Sequence, residues 1–145
     1  MKKRAYISVF DKTNITELAK RLEAARWEIV STGNTAKLLR ENGIKVTESS
    51  EITGFDELLG GKVKSLHPDI FAPVLADENE VKTLKYSPFS LVIINLYPFE
   101  KYKGVNADID TLIKNIDIGG AALLRAAAKN YKNVTVVCDI CDYTL

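Results

Sequence analysis

The chain has 145 residues, 46% of them hydrophobic, and twenty basic against nineteen acidic side chains leave a net charge of +1. That supplies apolar residues for one domain with a sizeable core. The charge balance is too even for a general nucleic-acid binder, which carries a clear basic excess. No apolar run approaches the length that spans a bilayer, and the opening MKKRAYISVF lacks a secretory leader; no membrane association is expected, and the cytoplasm is the expected compartment.

Residues 5–10 form a short apolar run, read as a strand, that ends in the turn residues Asp11, Lys12 and Thr13. Asn14 and Glu17 have capping-box spacing, and Ile15, Leu18, Ala19, Leu22 and Ala25 recur at helical period. Residues 27–31 give a second strand, followed by a polar loop of Thr32, Gly33, Asn34 and Thr35. Residues 36–41 read as a short helix stopped by Asn42 and Gly43, and residues 44–48 alternate like a third strand. A loop-rich stretch covers 49–73. Residues 91–96 are almost wholly apolar, as in a strand buried on both faces. Helical patterns follow at 109–116 and from Gly120 onward, and residues 134–138 close the series as a strand.

Repeated alternation of apolar strands with helices predicts an α/β fold, a parallel sheet with helices on both faces, over a single domain of residues 1–145. Ligands of such sheets bind beyond the carboxyl ends of the strands, where loops lead into helix N-termini that favour anions. Here those loops hold Asp11, Lys12 and Thr13; Ser31 to Thr35; and Asn95, Leu96 and Tyr97. Caps and turns use the same residue types for structural reasons, so a single loop of this kind is weak evidence. A further stretch, GGKVKSLHP, adds Lys62, Lys64, Ser65 and His67 within six residues. Cys138 and Cys141 form a C-x-x-C pair, but the only histidine lies far upstream and the pair follows the last strand. It reads as incidental, and neither a metal nor another cofactor is expected.

Five segments, ISVFDKTNI, STGNTAKLL, TGFDELLGGKVKSLHP, NLYPFEK and NIDIGGAALLRAAAKN, occur in that order over nearly the whole chain. Together they resemble the inosine monophosphate cyclohydrolase domain, which in its family precedes a formyltransferase domain in a bifunctional purine-biosynthesis protein. The family's fold is methylglyoxal-synthase-like, an α/β parallel sheet. Phe10 stands where the family commonly has serine, Asn34 where it has a second glycine, and Lys62 and Ser65 where it has arginine and threonine. The matched residues stop where the family begins another helix, and no formyltransferase domain is expected within residues 1–145. A stand-alone form or a fragment is therefore expected, with a separate formyltransferase as one partner and a homodimer as another expectation.

The resemblance implies closure of a purine ring. The carboxamide nitrogen of a formamido-imidazole-carboxamide ribotide attacks the neighbouring formyl carbon, and water leaves to give inosine monophosphate. An amide is a poor nucleophile, so the site must hold a reactive conformer, donate hydrogen bonds to the oxyanion and move protons. By resemblance the catalytic residues are Lys64, Tyr97, Asp117 and Lys129. Phe10, Asp11, Lys12, the loop Ser31, Thr32, Gly33, Asn34 and Thr35, then Lys62, Val63, Ser65 and His67 would surround the phosphate and ribose. Asn95, Leu96, Ile118 and Gly119 would line the base. Bland readings stand beside three of these. Asp117 has the position of an ordinary N-cap, His67 before Pro68 could simply cap a turn, and Lys129 could complement a helix dipole. A continuous helix from Gly120 would carry Lys129 about 13 Å away at 1.5 Å per residue. Two related functions compete: a non-catalytic regulatory module of the same fold, and methylglyoxal synthase itself.

Overall fold

β1 (Arg4–Val9) is covered along nearly its whole length, and its side chains alternate between two separate apolar layers. The computed structural model describes residues 2–103 and 108–144. β1 lies at the centre of a five-stranded sheet with β2 (Glu28–Ser31), β3 (Val46–Glu48), β4 (Leu91–Asn95) and β5 (Thr135–Val137). All pairings are parallel, in the order β3-β2-β1-β4-β5. The expected doubly covered parallel sheet is thus present.

Ala5, Ile7 and Val9 of β1 join Ile29, Val46 and Ile93 in one layer, closed by α1 (Ile15–Ala24) and α2 (Gly33–Glu41). Tyr6 points the other way, with Val30, Val92 and Ile94, under α3 (Ser49–Thr53), α4 (Pro68–Leu75) and α7 (Gly119–Lys129). Ile7, Ile93 and Leu123 are fully buried, and each such side chain contributes about 1.5–3 kcal/mol relative to exposure. Among the described residues between β4 and α7 lie two short helices, α5 (Phe99–Tyr102) and α6 (Ile109–Lys114).

Three local expectations need correction. Asn14 does not form a capping box: it sits at φ 60°, in the left-handed region, with no side-chain cap bond to α1. An N-cap side chain reaches back to the helix from extended backbone, which Asn14 lacks. The reciprocal pattern occurs instead at α3, where the Glu51 carboxylate accepts from the backbone N–H of Glu48 at 2.8 Å. Gly33, Asn34 and Thr35 belong to the first turn of α2 and not to a loop. Finally, the stretch 49–73 contains two helices. α4 begins with Pro68 at its first position, where a missing N–H costs nothing, and His67 caps it. Pro73 lies inside α4, yet its carbonyl accepts from Phe89 N–H at 2.9 Å and ties the helix to the approach to β4.

Candidate functional site

The chain runs outward from β1 through β2 to β3, then returns to the other side of β1 for β4. The loops after β1 and β4 consequently part in opposite directions, and the crevice between them is where an open α/β sheet binds ligands.

On one wall stands the N-terminus of α2. Thr32 precedes it in extended conformation, offers no capping side chain, and the first turn holds no acid. Gly33 opens the helix at φ +54°, and the Lys64 ammonium nitrogen lies 2.9 Å from where a Cβ on Gly33 would sit. An ammonium packed against the positive end of a helix is electrostatically unfavourable until an anion joins them. Lys12 adds a second cation: its Nζ donates to the carbonyls of Val9 at 2.8 Å and Phe10 at 3.3 Å. Burial, and then the charge of Lys64, hold the Lys12 amine below its ordinary value, against a weaker pull from Asp11. Two lysines therefore face one small region.

Several hydroxyls and amides expected to meet the ligand are already engaged. Ser31 Oγ donates to Ile7 O at 2.6 Å. Thr35 Oγ1 accepts from Val9 N–H at 3.2 Å and donates to Val9 O at 3.1 Å. Both side chains are buried and splice β1 to its neighbours. Asn95 closes a two-way clasp on Asp11, accepting from its N–H at 2.8 Å and donating to its carbonyl at 2.9 Å. The Asp11 carboxylate, in turn, is held low by Thr13, which bonds it through hydroxyl and backbone. These residues shape the crevice and keep its loops in place.

The opposite wall is built by β4 and α7. Tyr97 meets Phe10 edge to face, ring centroids 5.3 Å apart, so two exposed aromatic rings flank the mouth. Asp117 Oδ1 accepts from Gly120 N–H at 2.8 Å, which is a capping bond to α7. Its second oxygen accepts no hydrogen bond among the described residues. A Cβ on Gly120 would lie 2.9 Å from that carboxylate and 3.0 Å from Leu96, and one on Gly119 would lie 3.0 Å from Ser65 Oγ. A side chain at either position would press on Ser65, Asp117 or Leu96 and make them shift, so glycine keeps the backbone close to these groups. Lys64 and Ser65, Gly119 and Gly120, Asp117 and Leu96, Tyr97 and Phe10 thus form one continuous rim.

Other expected residues fall outside it. Lys62 is exposed in the turn closed by the Leu58–Val63 bridge, and Val63 serves that bridge through its backbone. His67 Nδ1 accepts from Asp69 N–H at 3.1 Å, and its ring lies 5.7 Å from Phe55; its capping role is what the geometry displays. Lys129 is exposed in the last turn of α7, which runs without a break from Gly119. Ten residues at 1.5 Å put it about 15 Å from the helix start. The adjoining Asn130 bonds carbonyls of Val74 and Ala76 at the far end of α4. Asp117 and Lys129 do not share a pocket within this chain. Ile118 is exposed beside the rim.

Sequence reasoning passed over the outer part of the crevice. A cavity of ≈ 350 Å³ is lined by Gly33 and Lys64 together with Glu48, Phe55, Asp56 and Glu57. Phe55, Asp56 and Glu57 lie within the TGFDELLGGKVKSLHP segment, but only its lysines, hydroxyl and imidazole suggested ligand chemistry. Cys138 and Cys141 are free and exposed, and no three metal-ligating side chains converge among the described residues. Nor is any described helix long and apolar enough to cross a membrane.

A family model described as MGS-like domain matches residues 14–122. The chain is 49% identical over 149 residues to a protein of Persephonella marina named bifunctional purine biosynthesis protein PurH, covering 99% of this chain and 29% of that one. A protein of the same name from Buchnera aphidicola is 47% identical over 146 residues, covering 97% and 28%. The chain therefore spans about three tenths of the length of these relatives. A solved structure titled Crystal structure of ForH superposes with a TM-score of 0.87 at 33% identity, covering 98% of this chain and 74% of that one.

Proposed function

Because the chain belongs to the MGS-like domain family, we propose that its crevice binds a purine-precursor ribotide and closes the ring of 5-formamidoimidazole-4-carboxamide ribotide to inosine monophosphate. The observation that carries this reading is the Lys64 ammonium seated against the uncapped N-terminus of α2, on the same rim as Asp117 and Tyr97. The names of the similar purine-biosynthesis proteins support the choice of substrate.

The 5′-phosphate sits between the first amides of α2, Lys64 and Lys12. The carboxylates of Asp56 and Glu57 repel it from the outer wall and accept hydrogen bonds from ribose hydroxyls, whereas Glu48 beside them is paired with Arg40 at 2.6 Å. This charge gradient orients the ligand, with its base toward Phe10, Tyr97 and the glycines of α7. The unbonded oxygen of Asp117 takes the carboxamide proton as nitrogen attacks the formyl carbon. Tyr97 and the N–H groups of Ile118 and Gly119 donate toward the developing oxyanion, and Tyr97 protonates it to a hydroxyl. That hydroxyl takes the proton held by Asp117 and departs as water, while the former formamido N–H returns its proton to the Tyr97 oxygen and the ring C=N bond forms. The chain's own side chains and amides supply each step.

A second reading, a nucleotide-binding module without turnover, is favoured by the remoteness of Lys129 and by the engagement of Ser31 and Thr35 in backbone bonds. One assay separates the two. Incubated with the formylated ribotide, the chain should raise purine absorbance. Tight binding of inosine monophosphate without that rise would leave the module.

A further inference from the structure

Arg40, in the last turn of α2, holds three groups at once. Its Nη1 pairs with Glu48 Oε2 at 2.6 Å. Its Nη2 donates to the carbonyl of Val46 and to Glu51 Oε1, both at 3.2 Å. Glu51 Oε1 also accepts from the Glu48 backbone N–H at 2.8 Å, so a closed ring of bonds surrounds the end of β3. Exposed ion pairs contribute little to stability on their own, and the Arg40 side chain is 42% exposed. The value of this ring lies in where it keeps the Glu48 carboxylate. Glu48 stands at the carboxyl end of β3, level with Ser31 on β2, and lines the same cavity as Gly33 and Lys64. The α2 N-terminus there has no capping side chain and no acid in its first turn.

We infer that Arg40 is a positioning residue for anion binding: by clasping Glu48 it keeps that carboxylate off Lys64 and the first turn of α2, and leaves both open to the ligand's phosphate. A helix start beside an ammonium attracts any anion, and Glu48 is an anion of the chain itself on the wall of that cavity. Asp56 and Glu57 line the cavity from the largely exposed segment 54–63. Glu48 alone of the three is anchored on the sheet. Released from Arg40, it would compete with a phosphate for the same lysine.

This inference rests on the crevice being a nucleotide site, and the test separates the two. Arg40→Met keeps an unbranched stem and removes the charge. Inosine monophosphate, followed by calorimetry, should bind about fivefold more weakly, the upper end of what one exposed ion pair contributes. In Arg40→Met/Glu48→Gln no carboxylate is released, so the double variant should bind as Glu48→Gln alone does. A purely structural role for Arg40, tying α2 to β3 and α3, would leave the loss in place. Unchanged binding in Arg40→Met, or a loss that survives in the double variant, would overturn the inference. The ligand-free protein provides a second measure. The Lys64 ammonium signal in nitrogen-15 spectra should move in Arg40→Met, as Glu48 reaches it, and should stand in the double variant where it stands in Glu48→Gln. A signal that does not move in Arg40→Met refutes the positioning role even if the native chain binds no nucleotide, an outcome that would separately refute the functional reading.

Discussion

At Gly33 two demands coincide. The backbone adopts φ +54°, and the Lys64 ammonium occupies the space a side chain would need. Gly60 has the first property without the second, for its φ is +65° and nothing lies within 4 Å of where its Cβ would sit. Alanine at either site should cost about 1–2 kcal/mol of stability through left-handed strain. Only Gly33→Ala should also weaken inosine monophosphate binding, by roughly tenfold or more, because a charge-assisted contact is displaced. Thermal melts and calorimetry on the two variants check both halves. Lys12 adds a pH signature. Its folded pKa lies below the ordinary 10.5, so its charge opposes folding at low pH and that penalty is relieved as pH rises through the lowered value. A bound phosphate reverses the balance by favouring the ammonium. Affinity should therefore decline as pH climbs through the lowered Lys12 value, before 10.5 is reached, and Lys12→Met should lose that decline.

Among the elements, legibility follows the strength of the local signal. β1 and β4 are apolar runs and α1 has a clear helical period, so they stand out in the sequence. α4 does not, because Pro68 and Pro73 read as breakers, although the first is suited to a helix start and the second lies near the helix end. The beginning of α2 is obscured in a similar way by Gly33 and Asn34, poor helix formers that suit an open N-terminus. α7 presents the opposite difficulty. Its alanines mark a helix plainly, but only the uninterrupted run from Gly119 to Lys129 separates Lys129 from Asp117. His67 illustrates how a reactive residue type can serve structure. His67→Ala should lower stability by about 1 kcal/mol through loss of the α4 cap, and His67→Asn, another capping residue, should restore most of it in a thermal melt.

For the whole molecule, alternation of strands and helices is enough to predict the layers, whereas strand order is not stated by the pattern. Order matters because β4 returns beside β1 and opens the crevice there. The five sequence segments mark residues along that rim, but they do not tell contact from support. Ser31, Thr35 and Asn95 carry ligand-like groups and spend them on backbone partners. The central claim is that an anion joins α2 to Lys64 and directs a base toward Asp117. A titration of the isotope-labelled chain with inosine monophosphate, followed by amide shifts, tests it most directly. The largest changes are expected at Gly33, Asn34 and Lys64, with a second group at Ile118, Gly119 and Gly120. Changes confined to the opposite end of the sheet, around Asn130 and Asn133, would contradict it.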